Sequence, residues 1–139
     1  MDRSVVEAKL ESLRRCLARV REKCPATAES LAQDPDLQDI VAINLTRAVQ
    51  LGVDIGTHLI AGTESPAPAT MGQTFDLLAT RGIISADLAI RMKKAVGFRN
   101  IAVHNYEAID WRIVHAIATV NIDDFERYAK VVAEHLPAD

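Results

Sequence analysis

Residues 37–60, LQDIVAINLTRAVQLGVDIGTHLI, decide the fold. Leu37, Val41, Asn44, Ala48, Leu51, Ile55 and Leu59 recur at steps of four and three residues. That is the period of an α-helix with one apolar face. The segment follows Pro35, and Asn44 interrupts its stripe with a polar side chain. Asn44 either fixes helix register in the interior or reaches toward a site.

Upstream, Val6, Leu10, Leu13, Leu17, Val20 and Cys24 repeat the same spacing over about five turns, and Pro25 ends the run. Downstream, residues 61–72, AGTESPAPATMG, hold two prolines among small residues and read as a loop. A short helix is expected from about Gln73 to Thr80, stopped at Gly82. Ser85 is suited to cap the next helix, which runs through Leu88, Met92, Ala95 and Val96. The pattern breaks at Asn105–Tyr106. A further helix is expected to turn Ile109, Ile113, Ala116, Ile117 and Val120 inward. Asn121 or Asp123 then opens a last one with Phe125, Tyr128, Val132 and Leu136 inside. No stretch alternates as a strand does. The reading is an all-α single domain over residues 1–139, a bundle of four main helices with short additional ones.

Composition agrees. The chain has 139 residues, 49% of them apolar, enough for one core. Six aromatics and eleven Gly plus Pro exclude collagen-like, low-complexity and disordered classes. No apolar run reaches the roughly 20 residues of a membrane span, and the N-terminus lacks the pattern of a secretory signal, so the expected compartment is the cytoplasm. Cys16 and Cys24, on one helix, would stand about 12 Å apart. A disulfide needs Cα atoms within about 7 Å, so two reduced, mostly buried thiols are expected. No CxxC or tight Cys/His cluster points to a metal, and no cofactor is expected.

The net charge of −3 is unevenly spread. Residues 1–24 carry seven basic and four acidic groups, and residues 25–80 one and seven. Residues 81–99 carry five and one, and residues 100–139 three and seven. Two positive segments in an acidic chain can form a local anion-binding face; the plainer reading is solvated helix surface.

One stretch departs from an ordinary bundle. Extending the line Leu88, Met92, Ala95 brings Arg99 and then Ala102 into register with the core. An arginine there needs a partner or a rim position. His104 and Tyr106 follow. In an unbroken helix, residues five apart diverge by about 140°. For Arg99 and His104 to act together, the helix must end or bend near Val103, or a symmetric partner must supply the second group. Taken singly, such residues usually serve as a salt-bridge partner, a helix cap and a packing tyrosine.

The string Arg99-Asn100-Ile101-Ala102-Val103-His104-Asn105-Tyr106 resembles the Arg-x4–6-His motif of the HEPN superfamily, and its Arg-x4-His-x-Tyr form resembles the HepT toxins. The block GFRNIAVHNYEAID (97–110) reads like that family's signature. The helix bearing Asn44, Gln50 and Asp54 looks like its other half, with TFDLLATRGIIS (74–85) between. The resemblance covers residues 5–135. It implies a HEPN fold, a C2 homodimer and a metal-independent endoribonuclease toxin of a toxin–antitoxin pair. Arg99 and His104 would be catalytic and Asn100 supporting. The implied partner is an MntA-like nucleotidyltransferase antitoxin that transfers AMP to Tyr106, in a complex that can exceed a dimer.

The residue types suit that chemistry. RNA carries its own nucleophile, the 2′-hydroxyl. Cleavage needs a base for its proton, an acid for the leaving 5′-oxygen and positive charge at phosphorus. Histidine serves as either acid or base near neutrality. One imidazole cannot readily stand on both sides of an in-line displacement, whereas a two-fold dimer supplies two. Arginine stays charged and presents a planar fork to phosphate. Substrate binding would draw on Arg91, Lys93 and Lys94, through phosphates and shape more than base stacking. The alternative is a non-catalytic helical module of the same fold that binds nucleotide or docks a nucleotidyltransferase.

Overall fold

The structure is a computed structural model that describes residues 2–136. The ends of the expected 1–139 domain, residue 1 and residues 137–139, lie outside the described residues. Among the described residues there are seven α-helices: α1 (Arg3–Lys23), α2 (Ala28–Ala32), α3 (Pro35–Ala61), α4 (Met71–Thr80), α5 (Ala86–His104), α6 (Trp111–Ala116) and α7 (Ile122–His135). A 3₁₀ turn (Tyr106–Ala108) joins α5 to α6, and a π turn (Ile117–Asn121) joins α6 to α7. Among the described residues there is no strand. The all-α expectation with four main helices holds, these being α1, α3, α5 and α7.

Local chemistry sets most helix boundaries. The side chains of Asp2, Thr27, Asp34, Thr70 and Ser85 each accept backbone N–H groups at a helix start, as small oxygen-bearing side chains do. Gly82 closes the turn after α4 with φ of 74°, where only a residue without Cβ is unstrained. Capped by Thr70, α4 starts at Met71, two residues before the expected Gln73.

The core forms where α1 lies along α3 and α5 and α7 close over them. Leu13, Leu17, Leu45, Ile55, Phe75, Phe125 and Tyr128 are fully buried in it. Asn44 is buried too; its Nδ2 donates to the Ile40 carbonyl of its own helix at 2.8 Å. Cys16 is buried and Cys24 half-buried, both as free thiols. Burial pushes both thiols above their ordinary titration range.

One element was not assigned from the sequence, and one expectation needs correction. The segment 28–32 is helical, as α2, although it lies between two prolines. The inward face of residues 109–120 is also different: Val114 and Ala118 are buried, whereas Ile113 and Val120 are 58% and 65% exposed. Ile113 precedes the π turn and faces outward from α6 itself; for Val120 the π turn is the reason. It adds a residue to one helical turn and shifts the phase, so that Val114, Ala118 and Ile122 line up instead. Asn121 sits at the start of α7 but makes no side-chain cap, because the helix continues directly out of the π turn.

Two glycines of α3 face α4 and α7. Tyr128 buries its ring there, and its hydroxyl donates to the Gly52 carbonyl at 2.7 Å. A Cβ at Gly52 would meet its neighbours at ordinary distances, from 3.6 Å. At Gly56 it would lie 2.6 Å from Thr74 Cγ2 and 3.0 Å from both Leu78 Cδ1 and the Tyr128 hydroxyl. Both positions lie inside α3, so alanine brings the same gain in helix propensity at each. Only the overlap differs. In urea unfolding, Gly56→Ala is expected to be less stable than Gly52→Ala by about 1–3 kcal/mol, the usual cost of overpacking.

Candidate functional site

Helices α3 and α5 run antiparallel along one side of the bundle, joined by two polar bridges. Gln50 Oε1 accepts from Arg99 Nη2 at 3.4 Å, and Asp39 Oδ1 accepts from the Tyr106 hydroxyl at 2.6 Å. Asp39 and Gln50 are eleven residues apart, about 16 Å along the helix. Ile43 and Arg47 share their face, and on α5 Val103 lies between Arg99 and Tyr106. Ile43 and Val103 are about half exposed despite being apolar.

Arg99 is half-buried, as its place on the core line requires. Its Nη1 donates to Asn100 Oδ1 at 3.3 Å. Its Nε is buried and has no hydrogen-bond partner among the described residues. Such an orphan costs about 1–3 kcal/mol, which structure alone gives no reason to tolerate. From Gln50 the polar chain continues: its Nε2 donates to Asp54 at 3.0 Å, and Lys9 of α1 stands 3.6 Å from Asp54.

His104 is exposed and is the last residue of α5. The helix does not break at Val103. The Asn105 N–H still reaches the Ile101 carbonyl at 2.8 Å, so α geometry holds through His104. Within one chain Arg99 and His104 therefore diverge by the full angle, about 140°. Tyr106 opens the following 3₁₀ turn. Its ring meets Trp111 edge to face at 5.8 Å between centroids. Burial first, and then the hydrogen bond and negative charge of Asp39, push its phenol well above the ordinary tyrosine range, so it holds its proton.

The basic residues of α5 lie elsewhere. Arg91 pairs with Asp87 at 3.1 Å and with Asp124 at 3.8 Å, and Lys93 pairs with Asp76 at 3.1 Å. Arg91 and Lys94 border an apolar cavity of about 360 Å³ lined by Phe98, Ile113 and Phe125. A second concavity, about 640 Å³, lies between α1 and α3. Arg15, Arg19 and Arg47 line it with Asn44 and Gln50, and Gln50 joins it to Arg99. Sequence reading missed this groove. Its signal was split between two helices, Arg15 and Arg19 on α1 and Arg47 on α3, which no spacing rule brings together. Asp39 was missed for the same reason: it lies 67 residues from Tyr106. No group of three metal-ligating side chains lies together among the described residues, and no helix there is long and apolar enough to cross a membrane.

The chain is similar to known proteins in sequence and in fold. The chain is 31% identical over 128 residues to the mRNA nuclease HepT of Shewanella oneidensis, spanning 92% of this chain and 96% of that protein. It is 23% identical over 132 residues to the tRNA nuclease HepT of Aphanizomenon flos-aquae, spanning 95% and 90%. Its fold matches a solved structure of the tri-AMPylated Shewanella oneidensis HEPN toxin in complex with MNT antitoxin. The TM-score is 0.89 at 30% identity, over 97% of this chain and 100% of that one. The family described as Ribonuclease HepT-like matches residues 13–132. By fold, by sequence and by the length of the match, the chain belongs to the Ribonuclease HepT-like family.

Proposed function

We propose that the chain is a metal-independent endoribonuclease toxin that cuts RNA as a symmetric homodimer in the cytoplasm. In this reading an MntA-like nucleotidyltransferase antitoxin silences it by transferring AMP to Tyr106, in a dimeric or larger complex. The observation that carries the dimer is the unbroken end of α5. One chain points Arg99 toward α3 and His104 away from it, so convergence on one phosphate needs a second copy. Ile43 and Val103, apolar and half exposed beside the two bridges, suit a surface that such a copy covers.

The steps follow from the residue types. The neutral imidazole of one copy takes the 2′-hydroxyl proton as that oxygen attacks phosphorus. The partner's imidazolium gives a proton to the departing 5′-oxygen. The products are a 2′,3′-cyclic phosphate (or the 3′-phosphate after hydrolysis) and a 5′-hydroxyl. Arg99 holds the non-bridging oxygens as charge builds, and its orphaned Nε is a donor still to be satisfied. Asn100, bonded to Nη1, orients the guanidinium. RNA backbone approaching the site would contact Arg91, Lys93 and Lys94, with the Arg15–Arg19–Arg47 groove as a second track that leads to Arg99. AMP on Tyr106 would add a phosphodiester charge and bulk two residues from His104, and so repel an incoming phosphate.

Subunit mixing tests the composite site. Wild-type chain is refolded with an equal amount of His104→Ala, and RNA cleavage is assayed with EDTA present. If both imidazoles serve one phosphate, mixed dimers are inactive and about a quarter of the activity survives, as random pairing of two chains requires. Survival of half would mean that each chain cuts alone. A wild-type protein that cuts no RNA would favour the non-catalytic nucleotide-binding or docking module.

A further inference from the structure

Tyr106 is held as an acceptor hydroxyl would need to be held. Its Oη donates to Asp39 at 2.6 Å, while Trp111 meets the ring edge to face. The residue is 40% exposed, and its hydroxyl is fixed in direction by Asp39. Asp39 is exposed as well, and among the described residues its carboxylate has no cation within ion-pair distance. For ribonuclease chemistry this pair has no evident use, since Asp39 bonds neither Arg99 nor His104.

We propose that Asp39 is a catalytic base carried by the toxin itself, accepting the Tyr106 proton when AMP is transferred to that hydroxyl. The inference rests on the reading of Tyr106 as the modified residue. In the step, Tyr106 Oη attacks the α-phosphorus of a nucleoside triphosphate held by the nucleotidyltransferase. An O–P bond forms to AMP, the bond between the α-phosphorus and the oxygen bridging to the β-phosphorus breaks, and pyrophosphate leaves. The phenol proton passes along the existing hydrogen bond to an Asp39 carboxylate oxygen. An unassisted phenol at neutral pH is almost wholly protonated, and here burial first, and then Asp39, strengthen its hold on the proton at rest. An acceptor already in contact removes the need for a free phenolate. Any later AMP would join a ribose hydroxyl of the first, far from Asp39. The carboxylate would therefore assist the first addition alone.

Asp39→Asn separates holding from proton transfer. The asparagine carbonyl can still accept the phenol's hydrogen bond, but it cannot take the proton. The full-length chain, as wild type, Asp39→Asn, Asp39→Glu and Tyr106→Phe, is incubated with ATP and a nucleotidyltransferase antitoxin that modifies the wild type. Intact-mass spectrometry follows each addition. The first addition to Asp39→Asn is expected to slow about 10²-fold in kcat, with KM for the toxin little changed. Asp39→Glu should recover much of the rate, and second additions to pre-modified Asp39→Asn should run at the wild-type rate. A first addition to Asp39→Asn at the wild-type rate would overturn the proposal, as would a loss confined to KM or equal slowing of every addition. AMP on Tyr106→Phe would overturn the assignment of Tyr106 and this inference with it. Thermal melting of each variant identifies any loss due to misfolding.

Discussion

His104→Ala is expected to reduce RNA cleavage by at least ~10²-fold, the loss typical of a removed acid–base group. The composite-site chemistry makes the expected loss larger than that minimum. One substitution in the gene removes both imidazoles of the dimer, so base and acid vanish together. Stability should barely move. His104 is exposed at the last position of α5, and the backbone cap at Asn105 does not use its side chain. Substitutions at such positions usually change stability by within about 0.5 kcal/mol. The assay is cleavage of a defined RNA in EDTA, beside a thermal melt. In cells, growth arrest on expression of the wild type should be absent with His104→Ala. Equal cleavage by mutant and wild type would end the nuclease role of this side chain.

The match between sequence and structure depends on range. The stripes of α1 and α3 were legible because helical burial repeats within a few residues: Val6, Leu10, Leu13, Leu17 and Val20 face inward as spaced. Ser85 and Gly82 were legible because caps and stops act over one turn. Arg99 was legible because it stood on an apolar line. The phase of residues 109–121 was not. A π turn leaves no simple mark in the sequence, yet it moves the side chains from Ile117 onward around the helix, and so Val120 faces outward.

The candidate site divides the same way. Arg99, Asn100, His104 and Tyr106 are close in sequence and were found as one string. Their partners Gln50 and Asp39 belong to α3, and only the packing of α3 against α5 identifies them as partners. Spacing within α5 did carry one long-range consequence. An uninterrupted helix forces Arg99 and His104 apart, which turns a local angle into an argument about oligomeric state.

Arg99→Met is expected to lower cleavage by about 10²–10³-fold, as removal of a preorganised charge donor does elsewhere. The same variant should leave the folded state as stable as the wild type or more so, by up to ~1–3 kcal/mol. Methionine keeps an unbranched stem of similar reach and fills the space beside Ala95 and Ala102. It removes the buried Nε that finds no acceptor. What it gives up is small: the bonds to Gln50 and Asn100 are long, at 3.4 and 3.3 Å. Arg99→Lys should recover little activity, because an ammonium keeps the charge without the planar fork that spans two phosphate oxygens. Urea unfolding and RNA cleavage of both variants decide the matter. Should Arg99→Met lose stability in step with activity, the guanidinium is chiefly a brace between α5 and α3. A gain in stability with a loss of cleavage would show that the fold tolerates an unsatisfied cation for the sake of the phosphate it binds.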